Sequence, residues 1–335
     1  MLSVNHAVPV EHSRGYRQLF SQPRLTLGVL FPIEAFSGDR PTMQGQTELA
    51  QFAESAGFDA LWFRDVPLRD PGFGDIGQVY DPFVYLGHIA ARTRTITLGT
   101  AAIILPLRHP LHTAKAAASV DQLSGGRLVL GVAAGDRPSE FPAFGVALAE
   151  RAELFRDNLL MFQRALTESF PAVQSRYGKM HGVDLVPKAV ASGIPVLVTG
   201  RSGQSLEWIA EHAQGWLSYP RAPDLQAQVI AEWKQAQAKV RPIADLPFAQ
   251  SLYIDLLPEA DAAPTPIHLG YRLGRRPLVR LLMRLSEIGV RHVIFNLKYG
   301  QRPASEVMRE LADDVLPAVH AATVAARAEG YALPA

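Results

Sequence analysis

A chain of 335 residues with 48% hydrophobic side chains can bury a substantial core, and its length admits two domains or one large α/β barrel. Lys and Arg total 33 against 32 Asp and Glu with no basic tract, which argues against nucleic acid or an anionic membrane as partner. The lack of Cys excludes disulfides, thiolate metal sites and a cysteine nucleophile.

No uninterrupted apolar run approaches the roughly 18 residues that span a bilayer. Glu11, His12 and Arg14 fall where a signal peptide would need its apolar stretch. A cytoplasmic protein is the expectation.

In chain order, short β-rich runs alternate with helix-period segments. Strands are expected at 25–31, 58–63, 95–105, 127–134, 194–200, 215–220, 247–257 and 291–297. Helices are expected near 43–56, 82–93, 110–124, 150–169, 203–213, 223–239, 277–288 and 303–325. The strands are apolar almost throughout, as in parallel sheets buried on both faces. Eight βα units in one chain of this length favour a closed (β/α)8 TIM barrel over a doubly wound sheet. The expected division is an N-terminal extension (1–24), one barrel domain (25–325) and a tail (326–335). In such a barrel the chemistry sits where strands end and βα loops begin. Irregular stretches at 65–81 and 258–277 leave strand C-termini and are placed to cover a substrate, with Arg69, Tyr80, His268 and Tyr271 as polar candidates. A third long connection, 170–193, precedes the fifth strand.

Several familiar signatures are missing: no GxGxxG follows the first strand, and there is no P-loop, HExxH or GxSxG. His109 and His112 in "HPLH" lack a third ligand and read as helix-start residues rather than a metal site. Lys298 closes the last strand and reads as a charged strand end. "VTGRSGQSLEW" (198–208) is more informative: Gly200, Arg201, Ser202 and Ser205 surround a strand-to-helix turn that could cradle a phosphate or simply cap the helix.

"GFDALWFRD", "GTAAIILPLRHP", "DQLSGGR" and "EFPAFG", in this order and spacing, resemble the luciferase-like flavin monooxygenases. The likeness is strong over 25–220, weakens after the sixth strand and resumes around "IGVRHVIFNL". It implies a non-prolyl cis peptide between Ala101 and Ala102, against which a flavin ring lies. By the same resemblance Ala101, Ala102 and Ala133 would line the ring, while Gly200, Arg201, Ser202 and Ser205 would meet the phosphate of FMN. Two departures bear on chemistry. Asp65 and Val66 stand where bacterial luciferases carry Glu and a catalytic His, which leaves Asp65 as the candidate catalytic carboxylate. Ala133 and Ala134 stand where luciferases carry Cys and a phosphate-binding Arg, so the phosphate cation is expected at Arg201. The implied activity is a monooxygenase using reduced FMN and O2 on a small organic substrate, with no metal, a separate flavin reductase and a homodimeric assembly. Two alternatives stay open: hydride transfer with the deazaflavin F420 on the same fold, and flavin binding without catalysis.

Overall fold

The computed structural model describes residues 9–328. Eight strands build its centre: β1 (Thr26–Leu30), β2 (Ala60–Phe63), β3 (Thr97–Thr100), β4 (Leu128–Ala133), β5 (Val196–Thr199), β6 (Gly215–Ser218), β7 (Phe248–Leu256) and β8 (Val290–Asn296). Each pairs in parallel with the next, and β8 returns to β1, so the sheet closes as a TIM barrel. Closure leaves the strand backbones fully paired, which is why apolar runs of this kind suit them.

The main helices are α1 (Arg14–Phe20), α2 (Gln46–Ser55), α3 (Pro82–Arg92), α4 (Pro110–Ser124), α5 (Glu140–Ala143), α6 (Arg151–Thr167), α7 (Leu206–His212), α8 (Pro223–Val240), α9 (Arg275–Glu287), α10 (Ala304–Glu310) and α11 (Leu316–Ala328). Their starts follow local chemistry. Asp81 Oδ1 accepts from Phe83 N and Val84 N ahead of Pro82, and His109 Nδ1 accepts from Leu111 N ahead of Pro110. Gly125, at φ 68°, stops α4 in the left-handed conformation that spares glycine a steric penalty. A π-helical turn, Leu311–Val315, joins α10 to α11. The expected tail lies outside the described residues from 329 onward. No helix among the described residues is long and apolar enough to cross a membrane.

One large side chain dominates the barrel interior. Trp62 of β2 is fully buried among Leu30, Ala60, Val129, Leu197, Leu217, Ala249 and Ile294. A Cβ at Gly99 would stand 2.5 Å from its ring, and a Cβ at Gly28 would stand 2.9 Å from its Nε1. That indole N–H donates to His292 Nε2 at 2.9 Å, which assigns the proton of His292 to Nδ1 and directs it at Thr26 Oγ1, 2.8 Å away. The Thr26 hydroxyl in turn donates to Leu19 O at 2.9 Å. Leu19 belongs to α1, which closes the bottom of the barrel with Tyr16, Leu19 and Phe20 packed into the Trp62 cluster. Part of the segment read as an extension is thus a plug.

Three other expectations are modified. The run 95–105 is not one strand: β3 ends at Thr100, and Ile103–Ile104 resumes pairing with β4. Gly99 opposes Val129 and Ile103 opposes Val132, so four steps on one side face three on the other, which is a β-bulge. The irregular stretch 258–277 contains a hairpin, Thr265–Ile267 with Gly270–Leu273, whose second arm pairs in parallel with the end of β7. The connection 170–193 contains another, Val173–Ser175 with Gly178–Met180.

Two outcomes follow from the interior. Gly99→Ala should lower unfolding stability in urea by about 1–3 kcal/mol, the scale of an overpacked core. His292 is fully buried, and burial holds its pKa down at about 3, so the fold keeps it neutral while the unfolded chain takes up a proton below about 6.5. Stability should therefore fall as pH drops through the window from about 6.5 toward 3. Urea melts at pH 7 and pH 5 should show that loss in the parent and a smaller one in His292→Gln.

Candidate active site

The C-terminal ends of the strands surround an open cleft of about 1490 Å³. Its floor is Ala101, Ala102, Ala133 and Ala134, side chains no larger than a methyl group. The peptide joining Ala101 to Ala102 is cis, at the bulge described above. Gly131 makes that approach possible, since a Cβ there would stand 1.9 Å from Thr100 O. The Thr100 hydroxyl donates to Gly131 O at 2.7 Å and fixes the strand edge beneath the bulge.

Asp65 reaches this floor from the end of β2 but is fully engaged. Its Oδ2 accepts from Ile104 N at 3.0 Å and Arg108 Nε at 2.9 Å, and its Oδ1 accepts from Arg108 Nη2 at 2.7 Å. With 2% of the side chain exposed, this carboxylate holds the far end of the bulge in place. The arginine that binds this candidate catalytic carboxylate comes from the loop before α4. Val66 lines the cleft beside it and brings no proton-transfer group.

One wall is the turn after β5 together with the start of α6. Thr199, Gly200, Ser202 and Gly203 face Leu148, Ala149, Arg151 and Ala152 across it. Ser202, at φ 49°, accepts from Ala134 N at 3.1 Å and donates to Thr199 O at 3.0 Å, tying this turn to the floor. A Cβ at Gly203 would stand 2.4 Å from Ala152 Cβ, so glycine permits the turn to touch α6. Two of the expected phosphate residues lie elsewhere. Arg201 is not among the lining residues; its side chain is 58% exposed and pairs with Glu232 of α8 at 3.4 Å. Ser205 accepts from Trp208 N and serves as the N-cap of α7. The cation that does line this wall is Arg151, which has no ion-pair partner among the described residues.

The opposite wall is built from charges and rings. Arg64, at the end of β2, binds Asp75 through its Nη1 and Nη2. Asp75 also lies 3.7 Å from Arg137 Nη2 and 3.8 Å from Lys298 Nζ. Lys298 is only 3% exposed, donates to Gly74 O and Asp75 O, and lines an adjoining cavity of about 780 Å³. Burial lowers its pKa, with the Asp75 charge opposing that shift. The Arg137 guanidinium sits 4.5 Å from the centre of the Phe73 ring, and its buried Nη1 has no partner among the described residues. Tyr219 and Tyr253 face the same space, and burial raises the pKa of each to about 12, so both phenols keep their protons at neutral pH.

Of the loop candidates, His268 lines the cleft, its ring 5.9 Å from that of Tyr253 and 6.0 Å from that of Tyr299. Gly270 allows this, because a Cβ there would stand 1.8 Å from Tyr253 O and push the hairpin away. Arg69 pairs with Asp39, and Tyr80 packs edge-on to Tyr85, both away from the cleft lining, as is Tyr271. The reading from sequence missed Arg64, Asp75, Arg151 and Tyr253; a strand end could have signalled Arg64 and a helix start Arg151, while Asp75 lies mid-loop and Tyr253 within β7. Among the described residues no group of three His, Asp or Glu side chains could hold a metal.

Residues 25–316 match the family model of the luciferase-like monooxygenases. The chain belongs to that family. This luciferase-like chain is 28% identical, over 171 residues, to the alkanal monooxygenase alpha chain of Photorhabdus luminescens, a match covering 51% of this chain and 46% of that protein. It thus spans about half the length of that relative. The monooxygenase RslO1 of Streptomyces bottropensis superposes with a TM-score of 0.73 at 19% identity, covering 88% of this chain and 99% of that one. An F420-dependent secondary alcohol dehydrogenase in complex with an F420–acetone adduct reaches a TM-score of 0.72 at 17% identity, with the same coverage of 88% and 99%. At such identities these structures share the luciferase-like fold.

If Asp65 is chiefly an anchor, Asp65→Ala should cost about 2–4 kcal/mol of unfolding stability, because it leaves Ile104 N and part of the Arg108 guanidinium without partners. Chemical denaturation of the variant measures this directly. A loss below about 0.5 kcal/mol would remove the anchoring role.

Proposed function

We propose that the protein is a flavin-dependent oxidoreductase that binds reduced FMN in the cleft and oxygenates a small organic substrate with O2. The observation that carries this reading is the cleft floor: a bulge at Ala101–Ala102 beside Ala133 and Ala134, where a flat ring can lie directly on backbone. The residues present fit such a group. No floor side chain extends past Cβ, and the buried Thr199 Oγ1 on the adjacent wall has no protein partner. Bound reduced flavin supplies the electrons that activate O2.

The chain's own residues would bind, orient and shield. Ala101, Ala102 and Ala133 would support the ring. Gly200, Ser202 and the backbone at Gly203 would flank the phosphate. Its cation would be Arg151, which lines that wall where Arg201 does not. Asp65 would act on the ring indirectly, by holding the Ile104 end of the bulge. Tyr253, protonated at neutral pH, would donate a hydrogen bond to the substrate, while the Tyr219 hydroxyl is given to Asp136.

The deazaflavin F420 is the second reading, because the alanine floor suits either tricyclic ring and one structural neighbour is named as F420-dependent. With no nicotinamide motif in the chain, reduced flavin would come from a separate reductase in the cytoplasm. A homodimer is proposed through the α3–α4 side, where Val84 and Leu123 are exposed while Ala114, Ala117 and Ala118 are already packed inside the chain.

Anaerobic titration with FMNH2, FMN and F420 tests the cofactor assignment. Arg151→Ala should weaken FMN binding by about 1.5–3 kcal/mol, the scale of a hydrogen bond to a charged group. Riboflavin, which lacks the phosphate, should be insensitive to that change, and Arg201→Ala should leave FMN affinity within about twofold. The opposite ranking of the two variants would return the phosphate to Arg201.

A further inference from the structure

Three cations crowd one carboxylate at the mouth of the cleft. Arg64, Arg137 and Lys298 all approach Asp75, whose two oxygens are already taken up by Arg64. Arg137 and Lys298 are 5% and 3% exposed. Burying a cation without a matching anion is costly, and the cost is relieved when an anion joins it. Arg137 is the open member: its Nη1 has no partner, its Nη2 stops 3.7 Å short of Asp75, and Phe73 covers its face.

Two other carboxylates come near, and neither completes the set. Asp136 accepts from the Tyr219 hydroxyl at 3.4 Å. Glu140 is buried, which raises its pKa, and among the described residues no ion pair joins it to Arg137. Its Oε1, like Arg137 Nη1, has no partner.

We propose that Arg137, backed by Arg64 and Lys298, receives an oxyanion on the organic substrate, a carboxylate in the simplest case. The inference deepens the flavin reading above and rests on it for the identity of the partner as a substrate. Arg64 follows β2 and Lys298 follows β8, the two strands flanking β1, and Asp75 draws Arg137 to them from the loop after β4. Because β4 pairs with β5, whose turn carries Ser202 and Gly203, the comparison of FMN with riboflavin below is what separates this site from the cofactor phosphate. The rings of Phe73, Tyr253 and Tyr299 beside the cations would cover a flat or apolar body attached to the acid.

Benzoate and its neutral isostere benzamide serve as probes, titrated calorimetrically into the full chain with and without FMN. Benzoate should bind at least about tenfold more tightly than benzamide, as expected for a charge-assisted hydrogen bond. That preference should shrink to about twofold or less in Arg137→Gln. It should grow in Asp75→Asn, which removes the competing carboxylate; a purely structural role for Asp75 would lower it instead. Should either variant fail to fold, Lys298→Gln must reduce the preference. Equal binding of the two probes to the parent protein overturns the proposal. So does a loss of FMN but not riboflavin affinity in Arg137→Gln, which would assign the cluster to the cofactor phosphate. If FMN and F420 both fail to bind while the benzoate preference persists, the flavin reading falls and the oxyanion site stands.

Discussion

Trp62 fills the inside of the barrel, and the strands on either side leave room for it at Gly28 and Gly99. An indole of that size needs neighbours without side chains and a partner for its N–H. His292 supplies the partner from β8, and Thr26 passes the hydrogen bond to the backbone of α1. The lower half of the barrel is therefore solid. Above it the side chains shrink to alanine, and the cleft begins where the large residues stop.

The same economy governs the charges at the mouth. Asp65 is taken by Arg108 and Asp75 by Arg64, so the carboxylates of the lower site serve as fasteners for loops. Arg151 and Arg137 are left without a close carboxylate of their own among the described residues, while Asp136 and Glu140 are left without an ion pair. On the readings proposed above, these two arginines would take in negative charge at two points. A flavin phosphate and an acidic substrate would meet that description.

The architecture was legible because barrel strands are buried on both faces and announce themselves as apolar runs. All eight appear close to where the runs lie. The bulge was not legible from pattern, since nothing in the period of "TLGTAAII" marks an extra residue; only the family resemblance pointed to Ala101–Ala102. The hairpin around Leu269 escaped for a different reason. Its turn residues, His268 and Leu269, are not turn formers, and Leu269 is held at φ 52° by contact with β7 rather than by preference. The outward turn of Arg201 toward Glu232 was not legible, because spacing puts a residue on a turn without saying which way it points. Arg151 was passed over because an arginine at a helix start reads as solvent-facing until the turn after β5 is folded against it.

β7 is nine residues long, and the barrel uses it only up to Tyr253, which pairs with Asn296. The remainder projects as a spare sheet edge, and the hairpin docks there through Gly270–Leu273. That edge is an attachment point outside the load of the closed sheet. A segment fastened in this way can drift in sequence and length while the barrel's own register stays intact. Variation at the hairpin tip around His268 would change which molecules fit the mouth, while Gly270, Arg272 and Leu273 keep the docked arm fixed to the fold.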